Sequence, residues 1–373
     1  MICKKNKCTG CSSCFNICPV KAIEMKKDKM GFYYPNINSN KCINCGLCKK
    51  SCPQLNISKI KFHTNIETYA AFAKDIKVNE MSTSGGIATA LYSEIIEKNG
   101  VVYGCDNIDN INEFNIIRVD KKNKEDLVRL QGSKYVQANI NKIFFYVKKD
   151  LENNLPVLFI GTPCQVNGLQ FYLKKEYENL ILIDIICHGV SSSKLLIENL
   201  KDNNIETDNI KKIQFRDGKK YCIMVENTEN KIIFNQKASQ NDYMINFLKN
   251  RISRESCYTC NYAQENRVSD ITIGDFWGIN KESKISKKIN KGLSVVLLNS
   301  EKGKKFFEKN LLLFEVERRN FKEAVEGNSN LQNPCGFNGE RKKFETLYER
   351  YGYHRSIRRI EDIKDKVKKI LRK

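Results

Sequence analysis

The chain contains no run approaching the roughly 18 apolar residues that a membrane-spanning helix needs. Its first residues, Met1-Ile2-Cys3-Lys4-Lys5, lead into polar sequence with no apolar segment, so a secretory signal is not expected and the cytoplasm is the expected location. Only three of 373 residues are histidine, which leaves little material for mixed cysteine and histidine zinc sites. No helix-turn-helix, zinc finger or aromatic RNA-binding motif is visible, so specific nucleic-acid recognition is not expected. What is plentiful is charge of one sign and sulfur. Lys and Arg total 64 against 43 Asp and Glu, a formal net charge of +21, and there are 16 cysteines. The charge suits an anionic partner. The length suits two or three domains, and 41% hydrophobic with 29% charged residues is a globular composition.

Nine of the cysteines fall within the first 53 residues. Four run Cys8-x-x-Cys11-x-x-Cys14-x-x-x-Cys18-Pro19, and the pattern returns as Cys42-x-x-Cys45-x-x-Cys48-x-x-x-Cys52-Pro53. This is the spacing of the bacterial ferredoxin run. Two-residue gaps let a tight loop turn three thiolates toward one iron–sulfur cube, and the fourth cysteine is carried off to ligate the other cluster. Cluster one is expected to use Cys8, Cys11, Cys14 and Cys52; cluster two, Cys42, Cys45, Cys48 and Cys18. Zinc favours pairs of cysteines, and disulfides imply export. Cys3 belongs to neither run and reads as a bystander.

A linker, Gln54 to Thr64, follows. The pattern then becomes alternating strands and helices. Glu67 to Ala73 and Val101 to Cys105 read as strands around a helix from Ser84 to Lys98. Leu155 to Ile160 and Leu180 to Ile186, separated by a helix from Val166 to Lys175, form a strand-helix-strand unit with a parallel pair. Ile213 to Phe215, Cys222 to Val225 and Ile232 to Phe234 suggest an antiparallel meander. Ile271 to Ile273 and Leu293 to Leu298 are further strands. The expected fold class is therefore α+β and α/β: a two-cluster ferredoxin fold over residues 1–58, a large mixed α/β domain over 66–330, and a basic helix over 341–373. That last segment holds 13 Lys or Arg against 5 Asp or Glu, with an apolar stripe of Ile357, Ile360, Ile363, Val367 and Ile370. The stripe suits docking on its own domain, the favoured reading; the basic face suits peripheral contact with anionic lipid or an acidic partner.

Three constellations in the large domain carry chemistry. Gly161-Thr-Pro-Cys164-Gln165 and Cys187-His188-Gly189 each follow a predicted parallel strand, at the carboxyl end where open α/β sheets place ligands. With Cys257-x-x-Cys260 they supply four cysteines for a third 4Fe-4S cluster. A redox dithiol at Cys257 and Cys260, a Cys164–His188 nucleophilic pair and a merely buried Cys187 compete with that reading. Ser82-Thr-Ser84-Gly85-Gly86 precedes a helix whose free amides suit a phosphate, although its spacing matches neither G-x-G-x-x-G nor a P-loop. Gln131-Gly-Ser133-Lys134-Tyr135 adds a lysine able to reach an anionic cofactor, or one simply solvated.

Together with Asp270-Ile-Thr-Ile-Gly-Asp-Phe-Trp-Gly278, these segments resemble the beta-subunit family of coenzyme F-420 hydrogenases and dehydrogenases, from about residue 66 to 330. The resemblance implies FAD, held through Ser82, Ser84, Gly85, Gly86, Ser133 and Lys134. It also implies a third 4Fe-4S cluster on Cys164, Cys187, Cys257 and Cys260. The implied activity is an iron–sulfur flavoprotein oxidoreductase moving electrons between reduced coenzyme F-420, or a similar two-electron partner, and the clusters through FAD. Two alternatives stand beside it: a ferredoxin-fed reductase of a sugar-linked or other small metabolite in surface-polysaccharide synthesis, and a non-catalytic relay subunit. The implied partners are a redox protein or a small-molecule electron donor. No general acid or base is named by the residues.

Overall fold

A computed structural model describes residues 2–106, 113–218, 220–280, 282–288, 292–336 and 339–371, with side chains to residue 360. The N-terminal segment winds short turns around one antiparallel hairpin, β1 (Ile23–Lys27) and β2 (Tyr33–Ile37), paired Ile23 to Ile37. The hairpin loop is tied by Asp28, whose Oδ1 accepts from the Met30 and Phe32 amides at 3.0 Å each. Gly31 sits at φ +86°, a conformation that disfavours a side chain. Met30, Phe32 and Tyr34 are buried against Leu195, Leu196 and Phe247 of the following region.

That region is built on β3 (Glu67–Ala73), β4 (Val101–Cys105), β5 (Ile116–Val119), β6 (Val157–Gly161), β7 (Leu180–Ile185), a meander of β8 (Ile210–Asp217), β9 (Lys220–Asn227) and β10 (Ile232–Lys237), then β11 (Ile271–Asp275), β12 (Ser294–Leu298) and β13 (Phe314–Arg319). The main sheet runs β13-β3-β12-β11-β7-β6-β4-β5, and the meander forms a separate sheet in the order β10-β9-β8. β11, β7, β6 and β4 are mutually parallel; β12, β3, β13 and β5 run antiparallel to their neighbours. Every residue of β6 and β12 is buried, as expected for strands covered on both faces. Alternate residues feed two cores. Val102, Leu158 and Ile181 pack with Leu91 and Ile95 on one face; Tyr103, Phe159 and Leu182 pack with Phe144 and Leu169 on the other. Each such side chain contributes about 1.5–3 kcal/mol when fully buried.

The mixed α/β reading and the strand-helix-strand unit hold. The helix expected from Ser84 begins instead at Ile87 because Gly86, at φ 78°, forms its N-cap. β5, only four residues long, and β13, with two apolar residues in six, give weak strand signals in sequence. The C-terminal helix, Glu340–Leu371, is interrupted at Gly352, where φ is 73° and ψ −178°. Phe344 and Tyr348 before the break, and Tyr353, Ile357 and Ile360 after it, are buried in the core that holds the β1–β2 hairpin. The apolar stripe therefore docks on the molecule as far as it is described; Ile363, Val367 and Ile370 lie outside the described side chains. Among the described residues no helix is long and apolar enough to cross a membrane.

Candidate functional site

Because β4, β6, β7 and β11 are parallel, their carboxyl ends line one edge of the sheet. Thr162 and Pro163 start the helix Pro163–Leu173 directly after β6, with Gln165 Oε1 accepting the Thr162 amide at 3.0 Å. This fixes Cys164 in the first turn. Cys187 and His188 follow β7. Cys257 lies on the turn Glu255–Thr259, and Cys260 ends it. All four sequence-predicted cysteines line one cavity of about 50 Å³, and a fifth, Cys335, lines it with them. Cys335 stands alone in sequence after Pro334, with no spacing to flag it.

Burial is the first cause of the thiol chemistry here. It pushes Cys164 up to about 11, with Cys260 adding to the shift, and Cys335 up to about 12. Cys257, Cys187 and Cys260 are raised by burial too, the first two also by neighbouring cysteines. Five neutral thiols, one buried and four partly so, are poor acids alone but a ready donor set for a cationic core, which reverses the penalty by drawing off the protons. Among the described residues no three His, Cys, Asp or Glu side chains close on a single ion. The donor set fits a 4Fe-4S group whose corners are spread around a cavity. Among the described residues no hydrogen bond joins His188 to Cys164; the His188 ring packs on Phe247 at 5.3 Å, and burial pushes its pKa down.

In the N-terminal segment Cys8, Cys11, Cys14 and Cys52 line a second cavity. Cys18 packs beside Cys48 around Ile23 and Cys14. The fourth cysteine of each run thus sits by the other run. Cys42 and Cys45 occupy the loop before the short helix Leu47–Lys50. Cys3 lines the same cavity, and its contact with Cys52 and Cys8 pushes Cys3 up and draws Cys8 down. The two cavities adjoin. Gly168, on the helix that carries Cys164 in its first turn, meets Cys11 directly. Tyr262 is buried between them, its hydroxyl donating to Asn167 Oδ1 at 3.0 Å.

The residues expected to hold FAD also converge. Thr83 Oγ1 and Ser133 Oγ lie 2.9 Å apart, joining the 82–86 loop to the 133–134 loop. Ser294 at the start of β12 holds Ser84 Oγ at 2.9 Å and accepts the Gly85 amide at 2.9 Å. Two details differ from the sequence reading. A Cβ on Gly85 would lie 2.3 Å from the Ala71 carbonyl oxygen, so this glycine admits the protein's own strand. Lys134 is not free: Nζ donates to the carbonyls of Gln131 at 2.7 Å and Arg129 at 3.1 Å, and burial pushes its pKa down to about 8. Ser82 Oγ donates to the Val78 carbonyl at 2.6 Å.

Beside these loops stands a set not singled out in sequence. Asp275, paired in register with Ser294, binds Arg216 at 2.6 Å. The Arg216 guanidinium lies over Tyr221 and Trp277, at 5.0 and 5.7 Å from the ring centroids. Tyr135 stacks on Tyr221 at 5.8 Å, and Tyr221 on Trp277 at 6.4 Å. Trp277 is 40% exposed. Tyr135 and Trp277 belong to two of the sequence motifs; Arg216 and Tyr221 come from the meander, where nothing in the sequence marks them.

Residues 155–320 match the family described as the C terminus of the beta subunit of coenzyme F420 hydrogenase/dehydrogenase. Residues 7–56 and 34–109 match two descriptions of a 4Fe-4S dicluster domain. A solved chain of the F420-reducing [NiFe] hydrogenase complex from Methanosarcina barkeri, in a xenon derivative, is similar at 17% identity. That match covers 77% of this chain and 94% of that one, with a TM-score of 0.49. No curated protein sequence matches.

Proposed function

We infer the function from two matches, that of residues 155–320 to the coenzyme F420 hydrogenase/dehydrogenase beta-subunit family and that of residues 7–56 to the 4Fe-4S dicluster family. From that premise we propose that the chain is an iron–sulfur flavoprotein oxidoreductase. It joins a two-electron donor or acceptor, reduced coenzyme F-420 or a similar molecule, to 4Fe-4S centres by way of FAD. The single observation that carries this reading is the set of partly buried cysteines lining one cavity at the carboxyl edge of the sheet, abutting Cys11 of the ferredoxin segment through Gly168.

Cys164, Cys187, Cys257 and Cys260 are proposed to hold the third cluster, and the eight cysteines of the two runs the other pair. When bound, such centres pass single electrons, whereas a flavin exchanges two as hydride. The residues divide the remaining work. Ser294 fixes Ser84 and Gly85. The first-turn amides of helix Ile87–Glu97 have no side-chain cap, which suits a pyrophosphate. Tyr135, Tyr221 and Trp277 offer flat apolar surface for a planar ring, and Arg216 supplies fixed positive charge beside it. Lys134, with two N–H groups already spent on carbonyls, positions its loop more than it reaches a ligand. The proposed partners are a redox protein or small-molecule donor.

Protein purified without oxygen is expected to carry about twelve irons and FAD. Cys260→Ser is expected to lower this by about four irons. Eight irons and no flavin in the unaltered protein would sink the large-domain half of the proposal. Turnover with reduced coenzyme F-420, NADH and reduced ferredoxin, the last against a sugar-linked acceptor, separates the favoured reaction from the metabolite reductase. Flavin binding without turnover of any donor would point to a relay subunit.

A further inference from the structure

Four arginines are among the largest fully buried side chains: Arg216, Arg251, Arg254 and Arg267. Three have a carboxylate partner. Arg216 meets Asp275 at 2.6 Å, Arg251 meets Glu340 at 2.5 Å and Arg267 meets Asp184 at 3.0 Å. Arg254 differs. Its Nε donates to the Cys8 carbonyl at 2.8 Å, Nη1 to Gln137 Oε1 at 3.0 Å and Nη2 to the Tyr33 carbonyl at 2.8 Å. Its guanidinium carbon lies 4.3 Å from the Tyr34 ring centroid. All of these acceptors are neutral, and among the described residues no carboxylate pairs with it.

A guanidinium cannot shed its proton to escape burial. A buried charge without a counter-charge is costly, so such a position implies an anion beside it. Two candidate anion sites flank Arg254. One side grips the backbone of Cys8, in the first ferredoxin run. The other lines the cavity of Cys164, Cys187, Cys257 and Cys260. A filled 4Fe-4S site with four thiolates carries about −2 when oxidised and one charge more when reduced.

We propose that Arg254 is a positioning residue whose positive charge is shared between the first ferredoxin cluster and the third cluster, raising the reduction potentials of both. The proposal rests on the reading that 4Fe-4S centres occupy these two sites. A fixed positive charge in a low-dielectric interior stabilises the reduced, more negative state more than the oxidised one. It also holds the turn that carries Cys257 against the loop that carries Cys8, so one side chain fixes both the separation and the driving force of the electron step. Among the described residues, no hydrogen bond joins Arg254 to the Cys42–Cys48 run, which makes cluster two an internal control.

The test is an anaerobic redox titration followed by electron paramagnetic resonance on the full-length protein, Arg254→Gln and Arg254→Lys. Signals are assigned by difference against Cys260→Ser. In Arg254→Gln, with iron content retained, the reduced-to-oxidised ratio of cluster one and of the third cluster at fixed poise is expected to fall at least tenfold, about 59 mV for a one-electron couple. Cluster two is expected to hold its potential, and Arg254→Lys to recover most of the shift. Unchanged potentials in Arg254→Gln, or equal shifts of all three clusters, would overturn the proposal. If Arg254→Gln loses iron, the lysine variant decides: wild-type potentials support the charge role, and potentials shifted despite full iron overturn it. Unaltered protein with only eight irons would instead indict the third-cluster reading, leaving the cluster-one shift as the deciding measurement.

Discussion

A Cβ built on Gly168 would lie 2.8 Å from the Cβ of Cys11 and 3.0 Å from its Sγ. The first ferredoxin run and the helix that carries Cys164 therefore touch at backbone distance, with no side chain between them. Gly168→Ala is expected to push the two apart. The cost is about 1–3 kcal/mol of overpacking, read as a lower melting temperature. Stopped-flow reduction should also show slower electron exchange between the large-domain site and the ferredoxin clusters. A folded, fully loaded variant with an unchanged rate would refute the direct route.

Five thiols share a cavity in which a cube needs four ligands. Cys335→Ser is expected to retain about twelve irons where Cys260→Ser loses about four. Iron and sulfide analysis of the two variants side by side decides the matter. Loss of iron from Cys335→Ser alone would make Cys335 a ligand and release one of the other four.

Asp184 in β7 is fully buried, its Oδ1 accepting from Thr272 Oγ1 at 2.6 Å as well as from Arg267. Burial raises its carboxyl pKa, and Arg267 opposes that shift. Asp184→Ala leaves Arg267 buried and unpaired, so a loss of about 3–5 kcal/mol is expected in thermal or denaturant unfolding. Replacing both, as Asp184→Leu with Arg267→Met, is expected to cost less than the sum of the single changes. Additive losses would show that the pair is not coupled.

Lys134 makes a prediction about pH. Its pKa falls from 10.5 to about 8 on folding, with burial as the leading cause. Between those values the unfolded chain holds a proton that the folded chain has released, so stability rises with pH across that window. Below about 8 the full penalty applies. In flavin-free protein the melting-temperature advantage of Lys134→Met should be largest near pH 7.5 and shrink toward pH 10. An advantage that does not change with pH would contradict the shift.

The chemistry was more legible than the packing. The two cysteine runs and β6 and β7 could be read because ligand spacing and continuous apolar runs are local signals. The motif resemblance put the 82–86 and 133–134 loops at one site, and they meet through Thr83 and Ser133; Ser294, which fixes Ser84 and Gly85, lies on a distant strand and carries no local mark. Cys335, Arg216 and Arg254 were invisible for the same reason: each acts through a partner more than forty residues away. Gly85 and Lys134 show the reverse, being noticed in sequence for a ligand and occupied in the fold by the protein's own backbone.

The shared core of the β1–β2 hairpin and the C-terminal helix bears on how the chain is made. Met30, Phe32 and Tyr34 leave the ribosome long before Phe344, Tyr348, Tyr353, Ile357 and Ile360, which complete their core from far later in the chain. Synthesis proceeds from the N-terminus at about 5–20 residues per second, so the hairpin waits some tens of seconds for its cover. A product truncated before that helix would therefore present the bare apolar face of the hairpin.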